Sequence, residues 1–165
     1  MTIKYITLAL IALLSSTVHA ALFDTPARNL QADVQQAQQE KKIVVVLATM
    51  PDCPSCAKME RTVFNRKELE KLFNKKLISR RIDITSDSNI ISASGKEVPI
   101  KQLAGQFHVH ATPSFLFFDT QGNFLYRYSG ELTSPQFKQL ISYVIHGEYE
   151  HRPFAVNAHE HSHHH

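Results

Sequence analysis

The run IVVVLAT, Ile43 to Thr49, is apolar and largely β-branched, the pattern of a strand buried on both faces. Ahead of it, residues 24–42 carry Asp24 and Thr25 as caps, Pro26 near a first turn, and then mostly Ala, Gln and Lys. That composition predicts an amphipathic helix. After it, from Pro54 to about Asn74, Met59, Val63, Phe64, Leu69, Leu72 and Phe73 recur near helical spacing among charged residues, which predicts a long helix broken near Asn65. LISRRIDI, Leu77 to Ile84, reads as a second strand. Residues 85–99, TSDSNIISASGKEVP, are polar and turn-rich and read as a loop or insertion, with a short helix over 100–107. Strands at 114–118 and 124–128 flank DTQGN, a hairpin signal. Ser134 and Pro135 open a last helix whose apolar face is Phe137, Leu140, Ile141, Val144 and Ile145, with Gly147 as its stop. This alternation predicts an α/β fold, a mixed sheet with helices on both faces. The aromatic positions Phe115, Phe117, Phe118, Phe124, Tyr126 and Tyr128 fit its core better than a ligand platform.

The first residues change the picture of where the chain works. Lys4, the apolar run Ile6 to Leu14 and the small-residue pattern Val18-His19-Ala20 form a signal peptide, residues 1–20, with cleavage expected after Ala20. The apolar run is nine residues long, far short of the roughly 20 that span a bilayer. Removing residues 1–20 leaves 145 residues, enough for one domain with its own core and no need of a disulfide staple. Lys plus Arg then number 17 against 15 acids, a balance that gives no reason to expect nucleic acid.

Only two cysteines are present, Cys53 and Cys56, in the stretch MPDCPSC. In an exported domain a close pair points to thiol chemistry rather than a scaffold. The pair falls where a buried strand ends and a helix begins, with Cys53 near the N-cap and Pro54 at a first helical position. Unpaired N–H groups and the positive end of the helix dipole favour a thiolate at Cys53. Cys56, one turn on, is placed to resolve a mixed disulfide.

Ala111-Thr112-Pro113-Ser114 directly precedes the FLFF strand. With the Cys-x-x-Cys at a strand-to-helix junction, this resembles the thioredoxin superfamily over about residues 30–147. CPSCAKMERTVF, the 85–99 insertion, TPSFLFFDTQGNFLYRYSGEL and YVIHGEYEHRPF are similar to SoxW-type periplasmic thioredoxins and, more distantly, to the C-terminal domain of DsbD. The resemblance implies a thioredoxin fold over residues 21–150 and a cis proline at Pro113. It also implies that Thr112 pairs with the substrate chain. The implied activity is that of a monomeric periplasmic thiol-disulfide oxidoreductase, more a reductase than an oxidant. Its substrates would be disulfide-containing exported proteins, its electron donor a membrane protein of DsbD or CcdA type, and its redox group the Cys53–Cys56 disulfide, with no other cofactor and no metal. Two positions depart from the family pattern. Asp52 stands where tryptophan usually precedes the first cysteine, and Leu47 where many thioredoxins carry a buried aspartate. A negative Asp52 opposes a neighbouring thiolate unless its side chain points away.

Other residues admit two readings. Glu60, four residues after Cys56, is a candidate proton shuttle or a solvated helix residue, and Lys58 has the same status. His108 and His110 precede Thr112-Pro113 and are either surface loop residues or contacts near the cysteines. The last segment, residues 151–165, ends in HEHSHHH and reads as a disordered, His-rich tail with weak affinity for zinc, copper or nickel. A different class of function follows from the same residues: a copper or zinc carrier on a thioredoxin fold, using Cys53, Cys56 and His110 or the terminal histidines.

Overall fold

The computed structural model describes residues 22–156. The signal peptide and the His-rich stretch from His159 to His165 lie outside them. Its elements are α1 (Leu30–Glu40), β1 (Ile43–Thr49), α2 (Pro54–Met59), a π-helical turn (Glu60–Phe64), α3 (Lys67–Lys76), β2 (Leu77–Asp83), β3 (Asn89–Ile91), β4 (Glu97–Pro99), α4 (Ile100–Gln106), β5 (Ser114–Phe118), β6 (Phe124–Ser129) and α5 (Ser134–Ile145). The main sheet has the order β2-β1-β5-β6. β1 runs parallel to β2 and antiparallel to β5, and β5 is antiparallel to β6. This is the thioredoxin fold.

Alternation along β1 explains why all its apolar residues are needed. Val45 and Leu47 enter one core with Met59, Phe64, Phe115 and Phe137, whereas Val44, Val46 and Ala48 enter the other with Leu30, Ile82, Leu103 and Leu116. A strand buried on both faces cannot carry a polar stripe. On the first side Phe23, Phe64, Phe73, Phe115 and Phe137 form a ring cluster with centroids 4.9 to 6.3 Å apart, within the range of favourable edge and tilted contacts. Met59, at the end of α2, packs in the same core.

Several expected boundaries move. Residues 24–29 do not belong to the first helix. Thr25 accepts from Arg81 N (2.9 Å) and Ala27 donates to Arg81 O (2.8 Å), so this segment is held extended along β2. Asn29, accepting from Ala32 N, is the actual cap. The helix after the cysteines does break at Asn65 and Arg66, as expected, with a π-helical turn ahead of the break that was not. Residues 85–99 are no plain loop, since β3 and β4 pair antiparallel within them, with Ile90 buried against the second core. Phe124 is not a core residue; it is 43% exposed on the last strand. Of the supposed disordered tail, Arg152 and Phe154 touch the domain: Tyr143 OH donates to Arg152 O, and Phe154 lies against Tyr128 and Tyr143.

Candidate redox site

Strand β1 delivers the chain to the site and a tight turn reverses it. Asp52 takes a left-handed φ of 56°, a conformation that Asp tolerates better than most residues. Cys53 then caps α2: its Sγ accepts from Cys56 N at 3.2 Å, and Pro54 occupies the first turn, where no N–H is required. Cys53 and Cys56 are joined as a disulfide, S–S 2.16 Å and Cα–Cα 5.3 Å. Both are nearly buried, at 7% and 6% exposure.

The second half of the site comes from the turn before β5. The Thr112–Pro113 peptide is cis, and Thr112 Oγ1 donates to Cys53 Sγ at 3.2 Å. A hydroxyl aimed at this sulfur and an N–H aimed at the same atom give two donors that favour negative charge there. Pro113 O accepts from Gly130 N at 2.9 Å, and Ser114 and Ser129 hydroxyls meet at 2.7 Å. The loop after β6 therefore braces the cis turn.

That loop also reaches α2, which sequence reading did not foresee. Glu131 Oε1 lies 2.5 Å from Lys58 Nζ, and the Ser55 hydroxyl, between the two cysteines, donates to the same carboxylate. Leu132 N donates to Met59 Sδ at 3.5 Å. Lys58 is thus an ion-pair partner and not a free helix residue. No local signal marks Glu131, because its partners lie far away in sequence.

Beside the disulfide an open groove of about 560 Å³ is lined by Thr49, Met50, Asp52, Cys53, Pro54, Cys56, Ala57, Glu60 and Arg81. Glu60 faces it from the π-helical turn, 2.6 Å from Arg81 Nη2. Arg81 is fixed in turn by donating to Phe23 O at 3.0 Å. Leu47 is fully buried in the core with Met59, so neither of the groove's two carboxylates, Asp52 and Glu60, comes from β1. His108 and His110 are not among the lining residues; His108 O instead accepts from Arg127 Nη1. Among the described residues, no three His, Cys, Asp or Glu side chains group so as to hold a metal ion. The carrier alternative thus finds no Cys53, Cys56 and His110 cluster.

The chain matches the family model of a thioredoxin-like domain over residues 30–145. A comparison with curated proteins finds no match. Among solved structures it is similar to a putative disulphide-isomerase from Bacteroides thetaiotaomicron, with TM-score 0.61, 20% identity and coverage of 77% of this chain and 96% of that one. It is also similar to a thioredoxin-fold protein from Helicobacter pylori (0.57, 16%, 73% and 86%) and to the oxidised DsbD C-terminal domain of Neisseria meningitidis (0.52, 14%, 70% and 92%). At these identities the likeness is one of fold. With the family model spanning most of its described residues, the chain belongs to the thioredoxin-like domain family.

Proposed function

We propose that the protein is a periplasmic thiol-disulfide oxidoreductase, working chiefly as a reductase of disulfides in exported proteins. The observation that carries this reading is the Cys53–Cys56 bond at the start of α2, with the Thr112 hydroxyl 3.2 Å from Cys53 Sγ. In the dithiol form the Cys53 thiolate attacks one sulfur of a substrate disulfide, forming a mixed disulfide and releasing the other substrate sulfur as a thiolate. The Cys56 thiolate then attacks Cys53 Sγ, which frees the second substrate thiol and closes the Cys53–Cys56 disulfide. Two electrons pass to the substrate. A membrane-borne dithiol of the DsbD or CcdA type restores them, and no other cofactor takes part.

Within this reading Thr112 and Pro113 shape the edge where the substrate chain lies, and Glu60 accepts the proton as the Cys56 thiol becomes a thiolate. The reducing direction follows from charge. A strong oxidant of this class owes its high potential to a stabilised reduced form, and in this reading the Asp52 carboxylate, which lines the same groove as Cys53, works against such stabilisation. Export by residues 1–20 places the reaction in the periplasm.

The test is trapping. Cys56→Ser, incubated with a disulfide-bonded protein, accumulates a mixed disulfide visible on a non-reducing gel, and Cys53→Ser does not. Glu60→Gln slows product release without reducing the trap formed by Cys56→Ser. Equal trapping by the two cysteine variants defeats the assignment.

A further inference from the structure

Deepening the reductase reading, on which it rests, we propose that Asp52 selects substrates in which a lysine or arginine lies next to the disulfide. Asp52 lines the groove beside the reacting sulfurs and precedes Cys53 directly. Its left-handed backbone, φ 56°, sets it at the apex of the turn, and its side chain is exposed. Its carboxylate has neither a hydrogen bond nor an ion pair to any described residue.

The other charges near the disulfide are matched. In the groove Arg81 is held by Glu60 at 2.6 Å; outside it Lys58 is held by Glu131 at 2.5 Å. Thr49 Oγ1 donates to Ile82 O at 3.2 Å. Beside the small exposed Pro54 and Ala57, the lining groups that remain for recognition are the Asp52 carboxylate and the long Met50 side chain, 41% exposed. A lysine or arginine fits that pair in one side chain, with its aliphatic stem on Met50 and its cation at Asp52. An acidic side chain in the same place meets an unpartnered like charge. At the separations of a rim contact in water, one such charge is worth about threefold in rate, and less at high salt.

The experiment uses the full-length protein, reduced, with three peptide disulfides that differ only in the residue after the reacting cysteine: Lys, Gln or Glu. Second-order rates are measured at low and high ionic strength, alongside a small uncharged aromatic disulfide as reporter of exchange itself. The expected order is Lys, then Gln, then Glu, about threefold per step, with the spread shrinking at high salt. Asp52→Asn flattens the order; Asp52→Lys inverts it. Asparagine tolerates the left-handed backbone, so folding is preserved. Equal wild-type rates for the three peptides, or an order that survives Asp52→Asn, overturns the selectivity while leaving the reductase reading intact. Failure to reduce any peptide and the aromatic reporter overturns both.

Discussion

At the residue scale, the contact that most changes the picture of the site is Glu131. Its carboxyl is held below the usual carboxylate range chiefly by the hydrogen bond from Lys58; burial opposes this, and the Ser55 hydrogen bond and the Lys58 charge add to the lowering. The sign of the pH effect follows. A carboxyl whose folded pKa is lowered stabilises the fold above its unfolded value of about 4.3, and that contribution is lost as pH falls through the lower folded value. The pair is exposed, so its worth in water is small. Its positional effect is larger in kind, because the carboxylate ties the loop after β6 to Ser55 between the cysteines. In a carbon-detected NMR titration, Glu131 should show its midpoint below about 4.3, and Lys58→Met should move it back up. A midpoint unmoved by Lys58→Met would mean that Lys58 is not the cause.

At the element scale, what was legible depended on whether an element is defined by its own residues. β1 and β5 are, since each is a continuous apolar run that only a two-faced core explains. So is α5, whose Thr133 and Gln136 form a reciprocal capping box ahead of a clear apolar face. The start of α1 was not. Asp24, Thr25 and Pro26 have the chemistry of a helix start, but pairing with Arg81 on β2 holds that segment extended. The β3–β4 hairpin was obscured by polar composition, although Ile90 is buried in the second core and Ala93 and Val98 pack against it. At the site, the cysteines could be picked out from their spacing at a strand-to-helix junction, and Thr112 and Pro113 through the family resemblance that Ala111-Thr112-Pro113-Ser114 helps to carry. Arg81 and Glu131 could not, because ordinary charged residues become site residues only through the packing of β2 and of the β6–α5 loop. The capping box supports a prediction of its own. Thr133→Ala removes the acceptor for Gln136 N and should cost about 1 kcal/mol in urea unfolding. Thr133→Ser should recover most of that loss. A cost below about 0.3 kcal/mol would show that tertiary packing of Phe137 and Leu140 alone holds the helix.

At the scale of the whole molecule, the fold sets out opposing influences on one sulfur, and their balance decides which way electrons run. Favouring a Cys53 thiolate are the Cys56 N–H and the Thr112 hydroxyl, each 3.2 Å from Sγ. Against it stand near burial of the sulfur and the adjacent Asp52 carboxylate. Two neutral donors do not match the stabilisation that a nearby cation gives, and the cations near the site, Lys58 and Arg81, are already paired with Glu131 and Glu60. The reduced form is therefore not held as a strongly stabilised thiolate. Equilibration with glutathione should place the potential near the thioredoxin value of about −270 mV and far from the roughly −120 mV of a strong oxidant. Asp52→Asn should raise it, since removing the opposing charge makes the thiolate easier to form. Thr112→Val should lower it, because Sγ loses one of its two donors. A wild-type value near −120 mV would reverse the proposed direction of transfer. Opposite shifts in the two variants would show that charge and hydrogen bonding at Cys53, set by the turn at Asp52 and the turn at Pro113, govern the balance.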